Sequence, residues 1–433
     1  MLSLSAAAPG LLLAEAAGPA IDSGSTAWML TSSALVLLMV PGLALFYGGM
    51  VRHKNILATM MYSFVAMAVI GVQWVLYGYA LAFGQDHGGI IGWDWKYVGL
   101  NGLSHTATFA DKAIPEFVFI MFQGKFAIIT PALISGAIAE RVKFSTYIIF
   151  ILLWSTFVYD PLCHWVWASG GWLYARGVLD FAGGTVVHIS SGVSALVLTL
   201  LLGKRRDYPH AAILPNNLAL TLTGAGLLWF GWFGFNAGSA VAADSPVAGS
   251  IAGLAFTTTQ TAAAAAALAW MLIEWLHHGK PTSLGLASGI VAGLVAVTPA
   301  AGHVHPLGAI VIGAVASLFC YTAVQLKGRF GYDDSLDVFG VHGVGGTWGA
   351  LATGIFCFVA GGTPVAGLIY GGGKQFLLQC MGAGSAIALA VVGTLVIGLI
   401  LKYTMGLRAT AEQERDGLDI TVHGEHGYHL ELT

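Results

Sequence analysis

Eleven apolar stretches, each about as long as a membrane-spanning helix, follow one another along the chain and account for most of it. Crossing about 30 Å of hydrocarbon takes roughly 20 apolar residues in a helix. The stretches fall at approximately 27–50, 56–83, 115–140, 144–168, 181–203, 216–240, 247–274, 283–301, 306–327, 337–360 and 375–403. None has the alternating period of a barrel strand. Only 9% of the 433 residues are charged, against about 25% in soluble proteins, so a soluble globular fold is excluded. The pattern predicts an all-α polytopic membrane protein. The 59 glycines fit helices whose backbones approach closely.

Basic residues set the direction, because Lys and Arg are retained on the cytoplasmic side. With the N-terminus outside, cytoplasmic segments hold Arg52, Lys54, Arg141, Lys143, Lys204, Arg205, Arg206, Lys280, Lys327, Arg329, Lys402, Arg408 and Arg415. The opposite loops hold only Lys96, Lys112, Arg176 and Lys374, and Lys125 lies inside a span. This predicts an extracellular segment 1–26, a membrane domain 27–403 and a cytoplasmic tail 404–433. The Ala-rich start lacks a basic n-region, which disfavours a cleaved signal peptide. An odd number of spans accommodates an inverted 5+5 repeat plus one helix. Gly-Gly-Thr-Val-Val-His in the fifth span and Val-His-Gly-Val-Gly-Gly-Thr in the tenth are its faint trace.

A formal charge of −3 without a long basic run argues against nucleic acid as a partner. Cys163, Cys320, Cys357 and Cys380 lie far apart, encoding neither a disulfide framework nor a zinc site. Ionisable groups within spans are costly and suggest function. Three histidines qualify: His164, His188 and His342. Imidazole can hold a small polar solute or pass a proton, but it can also be satisfied by a neighbouring carbonyl, the favoured reading for His164. Neither a metal-ligand spacing nor a nucleophile–base pair accompanies them, so neither a metal, a cofactor nor an enzyme is expected. Phe122 and Phe126 share one helix face, as do Phe235 and Ser239. Such rings could close a pore or simply pack, and Trp167 and Trp172 fit an interfacial aromatic belt.

Three motifs together are more specific. Asp180-Phe-Ala-Gly-Gly-Thr-Val-Val-His188, Gly231-Trp-Phe-Gly-Phe-Asn-Ala-Gly-Ser239 and Asp337-Val-Phe-Gly-Val-His342-Gly resemble the ammonium transporter family. The tail from Gly406-Leu-Arg408 through Glu412-Gln-Glu-Arg-Asp-Gly-Leu-Asp419 to His423-Gly-Glu425 resembles its C-terminal region, and the similarity runs from about residue 26 to 428. It implies a homotrimer with one pore per subunit in a prokaryotic inner or plasma membrane. Trp167 and Ser239, with Phe126 as a wall, would bind ammonium outside, and Asp180 would support that site electrostatically from the start of helix 5. Phe126 and Phe235 would form a gate, and His188 and His342 a hydrogen-bonded pair lining the pore. The ion would lose its proton and cross as ammonia, with the proton following a histidine-linked path. A cytoplasmic partner of the PII signal-protein class is also implied. A Rhesus-like gas channel fits less well, given Trp167 and Ser239. The alternative function is a sensor that binds ammonium without appreciable turnover and signals through its tail.

Two expectations follow from helix arithmetic at 1.5 Å per residue. His188 and His342 come out separated by roughly 10 Å in depth, so their contact rests on the resemblance alone. Lys125 sits beside the gate position, where relatives are usually uncharged, and at nearly the same depth as Asp160 in the antiparallel hairpin. An intramembrane Lys125–Asp160 pair is expected, against a water-filled vestibule or a subunit contact. Phe122, Lys125 and Asp160 are accordingly candidate modulators.

Overall fold

The computed structural model describes residues 20–110, 112–210, 213–242, 246–360 and 362–428. The predicted extracellular segment therefore lies mostly outside the described residues, as do 429–433. Eleven helices dominate: α1 (Ser23–Met50), α2 (56–83), α3 (Glu116–Ile138), α4 (144–167), α5 (184–202), α6 (Leu218–Ala237), α7 (Pro246–His278), α8 (Ser283–Val297), α9 (Pro306–Phe330), α10 (339–356) and α11 (Gly373–Thr404). A short α12 (Ala411–Asp416) lies in the tail. Among the described residues, nine helices are long and apolar enough to cross a membrane. The eighth and tenth of the predicted spans are shorter than expected, since α8 stops at Val297 and α10 at Phe356.

Local chemistry fixes the ends. Asp22 caps α1 by accepting from the Ser25 amide at 2.6 Å, and Thr282 caps α8 by accepting from the Gly285 amide at 2.9 Å. Gly331, at φ +72°, ends α9 where a side chain would be strained. Small residues let the backbones cross closely. Gly49 packs against Asn217 and Thr221, and Gly192 against Gly343.

The packing scheme of α1–α5 recurs in α6–α10. α1 packs on α2 and α3 as α6 packs on α7 and α8; α3 meets α5 as α8 meets α10. α1 and α6 pack on each other, α5 and α10 cross, and α11 lies outside against both of the latter. The crossing pair, walled by α1, α3, α6 and α8, encloses the candidate site.

The tail lies on the loops of its own chain. Asp419 accepts from the Leu57 and Ala58 amides at 3.1 and 2.8 Å, capping α2. The Leu418 amide donates to Asn55, the Ala409 amide to the Arg141 carbonyl, and Lys54 to the Arg415 carbonyl. Beneath it, buried Glu140 accepts from Arg52 and Arg205, while Asp333 also accepts from Arg205. Burial would raise the Glu140 carboxyl, but Arg205 and Arg52 overcome it and hold it below its ordinary 4.5.

Candidate functional site

The site is a vertical stack of aromatic rings ending in two imidazoles. At its top, α4 ends on Trp167, whose indole N–H donates to the Asp180 carbonyl at 2.8 Å. Ser239, just past α6, donates to the Phe235 carbonyl at 2.8 Å. That spends its proton and leaves oxygen lone pairs as acceptors. Below, the rings of Phe126 and Phe235 lie 4.1 Å apart at 31°. Trp167 meets Phe126 edge-on at 5.9 Å, and Phe122 does so at 4.9 Å. All three phenylalanines are buried.

His188 lies under Phe235, 6.2 Å away between centroids, and is flanked by Trp232 at 5.4 Å and 21°. Trp232 is held by its N–H donating to Thr298 at 2.8 Å. The Nδ1 atoms of His188 and His342 are 3.2 Å apart. Such a pair requires one nitrogen to donate and the other to accept, so the two rings hold complementary tautomers. His188 Nε2 is buried and has no partner among the described residues. The roughly 10 Å separation expected from helix arithmetic is therefore not what the structure has. Both helices start recessed within the protein rather than at its faces, and each carries its histidine in a π-helical turn, 184–189 and 339–343.

Buried carboxylates make those recessed starts tolerable. Asp180 accepts four amides: Gly183 and Gly184 on Oδ1 at 2.9 and 2.7 Å, Thr185 and Val186 on Oδ2 at 2.8 and 3.0 Å. These are the orphan donors of the α5 N-terminus. Asp180 thus faces the backbone, with its negative charge at the positive end of the helix. Asp334 plays the same part for α10, accepting from the Phe339 amide at 2.7 Å.

The lumen beside the histidines is narrow. A cavity of about 10 Å³ is lined by Val187, His188, Trp232, Phe235, Leu133 and His342, enough for about one water-sized molecule. His342 and Phe46 also line a wider vestibule of about 430 Å³, where Arg205, Glu274, Lys327 and Asp337 supply charge. The apolar neck accordingly joins a polar chamber.

Other sequence expectations need correction. Lys125 and Asp160 do not pair. Asp160 is fully buried and accepts from the Gln73 amide at 2.7 Å, whereas Lys125 is half-buried and makes no ion pair among the described residues. Lys125 stands with Phe117 and Met121 at the only positions of α3 that are not buried. It lines neither the neck nor the vestibule. His164 keeps its favoured reading: it lies outside the stack, contacting the Ala82 carbonyl at 2.9 Å and Asp86 at 2.8 Å. Sequence reasoning missed the ring packing of Trp232 on His188, although Trp232 stood inside a quoted motif. It also missed Asp334, whose signal was an acidic residue a few positions before a glycine-rich helix. Among the described residues, no three His, Cys, Asp or Glu side chains converge as a metal site.

Residues 27–428 match the model described as Ammonium Transporter Family. A protein of Aquifex aeolicus named Ammonium transporter is 52% identical over 416 residues, 95% of this chain and 94% of that one. The crystal structure of Saccharomyces cerevisiae Mep2 superposes with a TM-score of 0.80 at 36% identity, covering 90% of this chain and 88% of the other. A structure described as Sensor Amt Protein gives a TM-score of 0.83 at 28% identity, covering 92% and 98%.

Proposed function

We propose, on the premise that this chain belongs to the ammonium transporter family, that its histidine-lined neck conducts ammonia derived from external ammonium. The chain is a multi-pass membrane protein and a transporter-family member rather than an enzyme. The single observation that carries the mechanism is the buried His188–His342 pair, with an unpartnered Nε2, at a neck that admits about one water-sized molecule.

In this reading the eleven helices each cross the membrane, with the N-terminus outside and the tail inside. Ammonium exchanges water for the Trp167 face and the Ser239 oxygen, with the Phe126 ring as the wall. Asp180 supports that site through the α5 N-terminus rather than by touching the ion. An ammonium ion cannot enter the apolar neck without a severe desolvation cost, whereas neutral ammonia can. One N–H bond breaks near the Phe126–Phe235 gate. The proton passes to an acceptor on the histidine-linked path, and ammonia crosses to the polar vestibule, where it takes up a proton again. Proton movement through the protein makes transport charge-carrying. Three copies form the working unit, and the tail, held on the cytoplasmic loops, offers a surface for a PII-class signal protein.

Initial-rate uptake of isotopically labelled ammonium into liposomes tests the reading. Saturable uptake that falls on replacing His188 is expected. Saturable binding without uptake would replace transport with the sensor function.

A further inference from the structure

His164 is fully buried in α4, and both of its ring nitrogens meet acceptors. Nδ1 lies 2.9 Å from the Ala82 carbonyl and Nε2 lies 2.8 Å from Asp86 Oδ1. Ala82 stands in the last turn of α2, among the carbonyls a helix leaves unpaired. Asp86 belongs to a two-stranded hairpin, β1 (Asp86–His87) paired with β2 (Ile91–Gly92). It is exposed on its other side, and its two oxygens accept from the Gly89 amide at 2.9 and 3.1 Å. Hydrogen bonds from His164 and Gly89 hold its carboxyl below the ordinary 3.8.

A neutral imidazole has one N–H and one lone pair. Either neutral tautomer would therefore press a lone pair onto an acceptor, Nε2 onto the carboxylate or Nδ1 onto the carbonyl. A ring protonated on both nitrogens satisfies both contacts. The His188–His342 pair differs, because there one ring can accept from the other. The surroundings favour the charge as well, since a helix C-terminus and a carboxylate both stabilise a cation.

Other ionisable groups near this turn are engaged elsewhere. On α4 and the elements packed against it, Tyr79 donates to Glu116, Asp160 accepts from Gln73, Arg176 donates to the Trp172 carbonyl and His188 meets His342. Among the described residues, His87, Tyr159, Cys163 and Tyr174 form no hydrogen bond with the His164 ring.

The same turn carries Trp167. The His164 carbonyl accepts from the Ala168 amide at 3.2 Å, closing the turn around it. Two more bonds fasten the hairpin to this end of α4: Trp165 Nε1 donates to the Ile90 carbonyl at 2.8 Å, and the Trp172 amide to the Gly89 carbonyl at 3.1 Å. Gly170 lies so close to Asp86 that a Cβ there would come within 2.4 Å of it.

We propose that His164 is a positioning residue for ammonium capture: as an imidazolium it clamps the end of α2 and the β1–β2 hairpin to the turn that presents Trp167. When alkaline medium removes the second proton, one of the two contacts breaks, the turn loosens and Trp167 loses its fixed place. The proposal rests on the reading of Trp167 as part of the ammonium site.

Nitrogen NMR of protein labelled with nitrogen-15 histidine tests the clamp at neutral pH, the His164 signals being identified by their loss in His164→Gln. Two protonated ring nitrogens are expected in the parent. A neutral ring is expected in Asp86→Asn, where the amide donates to Nε2 and the Nδ1–H still serves Ala82. A singly protonated ring in the parent would overturn the proposal. Liposome uptake, with KM expressed as ammonium ion, reads the consequence. His164→Gln sets an oxygen against one of the two acceptors and is expected to raise KM about tenfold, with the maximal rate little changed. Between about pH 7 and 9 the KM of the parent should rise, while that of Asp86→Asn stays level. A loss confined to the maximal rate, or the same pH profile in both proteins, would overturn the positioning role. The two readings fail separately. A doubly protonated ring in a protein that neither binds nor carries ammonium defeats the capture site and the role given to His164 in it, whereas a singly protonated ring leaves the capture site standing.

Discussion

The Nδ1 atoms of His188 and His342 lie 3.2 Å apart where α5 crosses α10, with the His188 ring also packed on Trp232. Shared protonation of this pair means that losing one ring also orphans the other. His188→Ala and His342→Ala are each expected to reduce ammonium transport about 100-fold, the size of a lost positioned acid–base group. Initial-rate uptake into liposomes, normalised to incorporated protein, measures this.

Gly192 stands at the same crossing, and a Cβ there would come within 2.1 Å of the Gly343 nitrogen. Gly192→Ala should therefore force the helices apart, costing about 3 kcal/mol as overpacking and separating the histidines. The control is Gly226→Ala on exposed α6 surface, where a Cβ meets nothing within 4 Å. Thermal unfolding in detergent should show a lowered midpoint for Gly192→Ala and an unchanged or raised one for Gly226→Ala.

At the Trp167 end of the stack, Ser239 spends its proton on the Phe235 carbonyl, so its oxygen is left to accept from a cation. Ser239→Ala should weaken ammonium binding by about 1.5 kcal/mol, roughly tenfold in KM, with the maximal rate little changed. A fall in the maximal rate with KM unchanged would instead mean that the gate had been disturbed.

Beneath the tail, Glu140 is buried between Arg52 and Arg205 at 3.0 and 3.3 Å. Its carboxyl titrates below the ordinary 4.5 in the folded protein. A depressed carboxylate contributes stability above the unfolded value and loses it as pH falls through the folded one. Glu140→Gln should cost about 3 kcal/mol at neutral pH, as expected for a broken buried pair. The gap from the parent should close as pH drops below 4.5. Thermal unfolding across that range provides the measurement.

Composition and span length were enough to read the helical membrane fold, because each segment must satisfy its own backbone in lipid. The stack of Trp167, Phe126, Phe235 and the histidines came instead from motif resemblance. Helix arithmetic set His188 and His342 too far apart because it put helix ends at the membrane faces. Buried Asp180 and Asp334, which cap recessed ends, are what it lacked. The same arithmetic matched Lys125 to Asp160 in depth but carried no information on azimuth. Gln73, not Lys125, shares the buried side with Asp160.

The central claim, that this pore turns over ammonium, is tested most directly by the current of purified protein in liposomes after an ammonium jump, recorded at several liposome protein densities. A sustained current whose decay shortens as protein density rises, and which is lost in His188→Ala, is the expected result. A small, brief signal independent of density would mean binding without turnover and would contradict transport.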